Sequence, residues 1–197
     1  MGYVRLSQFH GRTAEEARVE LATLTAAGVG GIVLDLRGNQ GGLLTAVHDV
    51  ASLLLQDGSV VALLEDARGR DRQVLATGPP AYTGPLVCVV NRWTTAGAEA
   101  LAATLQENDR AVLVGEATFG KGSTQSLYEV APGLSLRLTS TGLLSPLGRS
   151  WDIAGLTPDY LVQGGPVRFP AGTGSTWPST DVQISFATEL LHADDVR

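Results

Sequence analysis

Lysine occurs only once in the sequence, at Lys121 in the glycine-rich stretch GEATFGKGST (residues 115–124). The other 13 of the 14 lysine and arginine residues are arginines, which keep their charge under ordinary conditions. A lysine that is buried among apolar groups can instead become a neutral amine and accept a proton from a serine hydroxyl. Phe119 and the flanking glycines would exclude water here, so we expect a mostly buried general base. A surface lysine in a turn is the alternative.

The same stretch matches the first seven positions of the phosphate-binding motif GxxxxGK[ST]. The eighth position is Gly122, which has no hydroxyl group to hold magnesium. The residues that follow, STQSLYEV (residues 123–130), alternate in the manner of a strand, whereas a phosphate loop precedes a helix. We therefore expect no nucleotide partner.

Composition indicates one globular domain with a substantial core, because 44% of the 197 residues are hydrophobic and 17% are charged. The net charge of −6 and the lack of a basic stripe argue against a nucleic-acid partner. The single cysteine, Cys88, lies in the apolar run LVCVV and is predicted to be a buried apolar residue. No apolar run approaches the roughly 18 residues that span a bilayer.

The three histidines, His10, His48 and His192, have no partner spacing typical of a metal site, and we expect neither a metal nor a cofactor. His48 and Asp49 are neighbours in a predicted helix, where successive residues point about 100° apart. They are therefore not expected to act as a catalytic pair.

Strand and helix patterns alternate through two thirds of the chain, which predicts an α/β fold with a mixed sheet. Strands are predicted at 3–9, 31–36, 60–66, 86–91 and 111–115, followed by an antiparallel pair, 123–130 and 134–145, that turns at 132–133. Helices are predicted from Thr13, with Glu16 completing a capping box, to about Ala27, and at about 43–55, 98–107 and 181–191. We divide the chain into a core (1–162), a Gly/Pro/Ser/Thr-rich loop (163–180) and a C-terminal helical segment (181–197).

Several ordered segments resemble the catalytic domain of the C-terminal processing (tail-specific) proteases, the S41 serine peptidases. They are LDLRGNQGGLL (34–44), NRWTTAGAEALAATLQENDRAVLVGEATFGKGSTQ (91–125), LRLTSTGLLSPLGRSW (136–151) and GLTPDYLV (155–162). The resemblance implies a crotonase-like (ClpP/crotonase) ββα core and a serine endopeptidase that cleaves proteins near their C-termini with a Ser-Lys dyad. In many members a glutamine four residues after the lysine orients it, and Gln125 occupies that place.

The same resemblance implies protein or peptide substrates that bind by their C-terminal regions, and a location in the bacterial cell envelope, periplasmic or extracytoplasmic. It leaves open whether the active unit is an oligomer. Members usually carry a peptide-binding PDZ module before the segment that matches residues 2–9, and no such module or signal peptide precedes it here. We therefore expect the chain to be a catalytic domain that belongs to a longer protein.

The family's nucleophile corresponds to Ala96, which lies 25 residues before Lys121 and three before Glu99 in the segment TTAGAE. Without the hydroxyl group, this chain is predicted to be inactive. We favour an engineered replacement of the serine, with a natural non-catalytic relative that binds peptides or other ligands as the alternative. Thr94 and Thr95 are weaker candidates for a substitute nucleophile.

Glycines are expected to supply the oxyanion hole. The amide of Gly97 would lie at the start of the third helix, where N–H groups lack partners within the helix. The second donor is expected from Gly41 or Gly42, because a residue without Cβ lets the backbone approach a substrate carbonyl closely.

Overall fold

The structure, a computed structural model, describes residues 1–165 and 181–193. Most of the expected loop, residues 166–180, and the last residues, 194–197, lie outside the described residues. The helices are α1 (Thr13–Ala26), α2 (Leu44–Ser52), α3 (Gly97–Glu107) and α4 (Val182–His192). The strands are β1 (Gly2–Arg5), β2 (Ile32–Asp35), β3 (Val60–Glu65), β4 (Asp71–Leu75), β5 (Leu86–Val90), β6 (Val112–Gly115), β7 (Ser123–Ala131), β8 (Leu134–Leu144) and β9 (Tyr160–Leu161).

A parallel sheet of five strands, in the order β1-β2-β5-β6-β9, forms the centre of the fold. Its strands β2 and β5 are buried along their whole length, as their continuous apolar sequences require in a sheet covered on both faces. Ile32 and Leu34 belong to the cluster that α1, α2 and α3 complete, whereas Val33 packs with α4. The alternation of side chains along a strand thus places three helices on one face and α4 on the other.

An antiparallel sheet in the order β4-β3-β8-β7 forms the second layer of strands. The hairpin of β7 and β8 turns between Ala131 and Leu134, as the Pro132-Gly133 pair predicted. Much of this hairpin is exposed, and it carries large apolar side chains at its surface, including Leu127, which is 65% exposed. The segment after Lys121 is therefore a strand and does not begin a helix.

The predicted α/β class is confirmed, with three local differences. The parallel and antiparallel strands form two separate sheets, and strands β4 and β9 were not predicted. The sequence of β4, DRQVL, is largely polar and exposed, so it lacks the apolar pattern that marks a strand.

The predicted cap of α1 is wrong, because Arg12 is the N-cap and Thr13 is already helical. The Thr13 hydroxyl accepts a hydrogen bond from the His10 amide (2.9 Å) and donates to the Gln8 carbonyl (3.2 Å). It therefore stabilises the preceding turn, and Glu16 contacts Arg12 and His10.

Gly115 offers a test of the close packing at the end of β6. It has a φ of +132°, and a Cβ atom there would lie 2.0 Å from the Val90 carbonyl oxygen. We expect Gly115→Ala to lower the free energy of unfolding by at least about 2 kcal/mol, because steric overlap and backbone strain add. The matched control is Gly30→Ala, where a Cβ meets nothing within 4 Å. Equal unfolding midpoints of the two variants in urea would contradict this packing.

Candidate active site

Ala96 occupies a sharp turn between β5 and α3. Its backbone has φ 54° and ψ −115°, a region that residues other than glycine rarely adopt, and it is the N-cap of α3. The side chain is half-buried. A hydroxyl at this position would therefore stand at a helix N-terminus, where free N–H groups favour negative charge. The structure keeps the strained turn although the residue is an alanine.

The carboxylate of Glu99 holds this turn together with the loop that carries Lys121. Glu99 is fully buried, and its Oε2 atom accepts hydrogen bonds from the amides of Ala96 (2.9 Å) and Lys121 (2.8 Å). Its Oε1 atom accepts from the Thr118 hydroxyl (2.6 Å) and the Gly120 amide (2.6 Å). Four donors on one carboxylate compensate for its burial. Sequence reasoning gave Glu99 no role, although an acidic residue three positions after an N-cap is a signal for this contact.

The predicted oxyanion glycines prove to have different roles. The Gly41 amide donates to the Asn39 side chain (2.8 Å) and is therefore not free to bind a substrate oxygen. The amides of Gly42 and Gly97 have no acceptor among residues 1–165 and 181–193. A Cβ on Gly41 would lie 2.8 Å from the Gly97 nitrogen and 3.1 Å from the Ala96 Cβ. The lack of a Cβ at Gly41 thus keeps open the space next to Ala96, and of Gly41 and Gly42 only Gly42 has an amide without an acceptor in the described part of the chain.

The two turns of the site are hydrogen-bonded to each other. The Thr94 hydroxyl donates to the Leu36 carbonyl (3.0 Å), and the Thr95 amide donates to the Asn39 carbonyl (3.0 Å). Thr94 is fully buried and its hydroxyl is already engaged, so it does not suit a nucleophile. The Thr95 hydroxyl is also buried, without a partner in the described part of the chain. Neither threonine therefore offers an accessible hydroxyl group that could act as a nucleophile.

The expectation that Lys121 is mostly buried is wrong in this structure. The side chains of Lys121 and Gln125 are both exposed, and the described residues provide no hydrogen bond between them. Phe119, which we expected to shield the amine, is itself 56% exposed. The physical reason is that the glycine-flanked loop continues directly into the exposed hairpin of β7 and β8. Glu99 fixes the backbone of Lys121, while its side chain remains in solvent.

Other candidate nucleophiles and bases are already occupied or inert. His48 and Asp49 contact each other through Nδ1 and Oδ1 (2.8 Å) on the exposed surface of α2. The other ring nitrogen of His48 lies 2.9 Å from the Leu75 carbonyl oxygen. Burial, assisted by the charge of Asp35, raises the pKa of Cys88 well above its ordinary value, so its thiol stays protonated.

Within residues 1–165 and 181–193, no three His, Cys, Asp or Glu side chains are grouped to hold a metal ion. In the same part of the chain, no helix combines the length and the apolar character needed to cross a bilayer.

Comparisons of sequence and of structure with known proteins point to the same family. The model of peptidase family S41 matches residues 1–162. A carboxyl-terminal-processing protease of Synechocystis is 38% identical over 191 residues, which are 97% of this chain and 44% of that protein. The carboxy-terminal processing protease CtpA of Bacillus subtilis is 32% identical over 163 residues, 83% of this chain and 35% of that protein.

The solved structure of a photosystem II D1 C-terminal processing protease has a TM-score of 0.77 and 34% identity. The match covers 82% of this chain and 42% of that one. The chain thus spans less than half the length of these relatives.

The role of Glu99 can be tested on the chain as it stands. In Glu99→Gln, an amide nitrogen replaces one carboxylate oxygen. Because each oxygen accepts two hydrogen bonds, two N–H or O–H groups then lose their acceptor and lie against another donor. We expect the free energy of unfolding to fall by about 2–4 kcal/mol, since unsatisfied buried groups are costly. Glu15→Gln on the exposed surface of α1 is the matched control. Denaturant unfolding checks both, and a loss below about 0.5 kcal/mol in Glu99→Gln would contradict the hydrogen-bond assignment.

Proposed function

Because the chain belongs to peptidase family S41 and has the crotonase-like α/β fold, we propose that it is the catalytic domain of a serine-type C-terminal processing peptidase. The observation that carries the proposal is the strained turn at Ala96, which lies beside the glycine turn where the amides of Gly42 and Gly97 have no acceptor among the described residues. A nucleophile at position 96 would attack a carbonyl whose oxygen these two amides bind. Such donors stabilise the negative charge that develops in acyl transfer.

The proposed reaction uses a serine at position 96 and Lys121 as its base. The hydroxyl oxygen attacks the scissile carbonyl carbon while its proton passes to the neutral amine of Lys121. The tetrahedral intermediate places its oxyanion between the amides of Gly42 and Gly97. Its C–N bond breaks as the lysine returns the proton to the leaving amine. Water then attacks the acyl carbon while its proton passes to the same lysine. The ester C–O bond breaks as the lysine returns this proton to the serine oxygen, which restores the neutral amine, and Gln125 orients that amine throughout.

Substrate binding has a specific task in this scheme. A general base requires an uncharged amine, and removal of water is what favours that form of a lysine. We propose that an extended substrate chain lies over Lys121 and Gln125 and excludes water from both. Catalysis would then depend on binding that buries a side chain exposed in the free domain.

The substrates proposed here are proteins or peptides that bind by their C-terminal regions, with no nucleotide, metal or other cofactor. Relatives named as carboxyl-terminal-processing enzymes occur in cyanobacteria, chloroplasts and Bacillus. We propose an extracytoplasmic location for the whole protein and leave its oligomeric state open.

Ala96 makes this chain an inactive form of the proposed enzyme, and we attribute it to replacement of a serine. The intact surroundings support this view: Lys121, Gln125 and the glycine turn all remain. The second candidate function is a natural relative that binds peptides without cleaving them. Restoration of the hydroxyl separates the two, because only an intact catalytic site gains activity from it.

The decisive change is Ala96→Ser, alone and combined with Lys121→Arg. We expect Ala96→Ser to cleave a peptide with a free C-terminus, and the double variant to lose at least about 100-fold of that activity. Arginine keeps the positive charge but does not act as a base. Peptide cleavage followed by mass spectrometry measures both. If the two variants cleave equally well, Lys121 is not the base.

Two further variants complete this experiment. Ala96→Ser with Gln125→Ala should lose less activity than the Lys121→Arg double variant, because Gln125 orients the amine and accepts no proton. Ala96→Ser with exposed Arg137→Ala serves as a control for altered charge on the hairpin and should keep its activity. If Ala96→Ser binds the peptide but no product forms under any condition, the non-catalytic candidate is favoured.

Gly41 provides a separate test of the oxyanion geometry. In the Ala96→Ser background, Gly41→Ala would place a methyl group 2.8 Å from the Gly97 nitrogen. We expect kcat to fall by at least about 100-fold, the usual cost of losing one oxyanion donor. Gly30→Ala in the same background is the control. An unchanged kcat would mean that the substrate oxygen does not enter this space.

A further inference from the structure

A buried arginine connects the glycine turn to α4 on the opposite face of the parallel sheet. Arg37 is almost fully buried, and its Nε and Nη2 atoms donate to the two oxygens of Asp35 (2.9 and 2.7 Å). Its Nη1 atom lies 2.8 Å from Oδ2 of Asp181 and 3.0 Å from Oε1 of Gln183. The Tyr3 hydroxyl also donates to Asp35 (2.8 Å). One guanidinium group therefore joins two segments that lie 144 residues apart in sequence.

Arg37 begins the turn that leads to the site. The next residue, Gly38, is held at its amide by the Asn91 side chain (3.1 Å). Asn39 follows, and its carbonyl accepts from the Thr95 amide (3.0 Å), immediately before Ala96. Hydrogen bonds at both ends of the backbone segment 37–39 thus connect the start of α4 with the residue before the nucleophile position.

We propose that Asp181 and Gln183 are positioning residues of the active site, which act through Arg37 on the glycine turn. Both lie beyond residues 1–162, the part matched by the family model. The expected effect on the catalytic rate rests on the proposed function. The expected effect on the position of the glycine turn does not, and it can be measured in an inactive chain. The two residues fix the guanidinium plane, and this plane sets where the turn presents Gly41 and Gly42.

The hydrogen-bond acceptors around the Arg37 guanidinium group support a positioning role for Asp181 and Gln183. Asp35 alone would pair with Arg37 through its Nε and Nη2 atoms and leave Nη1 buried without an acceptor. Asp181 and Gln183 supply acceptors for that atom, and Gln183 is held in place because its own amide donates to the Val162 carbonyl (2.8 Å). Loss of an acceptor for a buried charge allows the side chain to shift, and small displacements at a catalytic site have large effects on rate.

Asp181 also caps α4, since it accepts a hydrogen bond from the Ile184 amide (3.2 Å). Serine and asparagine are both good N-caps, so either substitution preserves this function. The serine of Asp181→Ser is too short to reach Arg37, so Nη1 loses one of its two acceptors and keeps only Gln183. Asp181→Asn keeps an oxygen in reach. The pair therefore separates capping of the helix from positioning of Arg37.

The first experiment needs no activity. Backbone amide chemical shifts are measured for three variants that all keep Ala96: Asp181→Ser, Asp181→Asn and Glu189→Gln. The last is a control that removes an exposed charge from the same helix. We expect Asp181→Ser to shift the amides of Asn39 and Thr95, Asp181→Asn to shift them less, and Glu189→Gln to leave them unchanged. Shifts confined to α4 in both Asp181 variants would overturn the proposal.

The second experiment places the same variants in the Ala96→Ser background. We expect Asp181→Ser to lower kcat at least about tenfold with KM within about twofold, and Asp181→Asn to restore most of the loss. A kcat that stays within about twofold in Asp181→Ser would overturn the catalytic part of the proposal. Inactive Ala96→Ser would instead contradict the proposed function, while the chemical shifts still decide whether α4 positions the turn.

Discussion

The carboxylate of Glu99 is the constraint on which the candidate site depends. It is fully buried, and its hydrogen bonds link the N-cap of α3 to the loop before β7. A buried carboxylate is tolerated only where donors surround it, so the backbone at Ala96 and Lys121 must converge on it. The strained turn, the open amide of Gly97 and the position of the lysine are consequences of this convergence. The hydrogen bonds of Glu99 thus hold the candidate site in place, although Glu99 has no direct part in the proposed reaction.

The two halves of the site differ in how rigidly they are held. Ala96 and the proposed oxyanion donors, the amides of Gly42 and Gly97, lie between buried strand ends and the N-terminus of α3, and Asn39 is hydrogen-bonded to both turns. Lys121 has only its backbone fixed, and its side chain is exposed next to an exposed hairpin. In the proposed mechanism, electrostatic stabilisation of the oxyanion is therefore prepared before the substrate arrives, whereas the proposed base, Lys121, depends on the substrate to cover it.

Local sequence patterns predicted most of the helices and strands, because burial of apolar runs and turn formation depend on residues that are close in sequence. Continuous apolar runs indicated the central strands, and Pro132-Gly133 indicated the hairpin turn. Strand β4 was missed because its polar sequence is stabilised by pairing with β3. The nucleophile position was assigned from the family resemblance, and it stays a prediction together with the oxyanion glycines. The exposure of Lys121 and the contact of Asp181 with Arg37 depend on how distant segments pack, and no local pattern contains that information.

The conformation of Ala96 bears on the origin of the missing hydroxyl. A backbone with φ 54° and ψ −115° costs a residue with a Cβ about 1–3 kcal/mol, and glycine would relieve that strain. A domain maintained only for binding has no use for strain at a position whose side chain is a methyl group. In the proposed mechanism such a turn would serve a nucleophile, because position 96 lies at the N-terminus of α3 and beside the glycine turn at Gly41. The strain at Ala96 is thus an argument in support of the proposal that this alanine occupies the place of a serine.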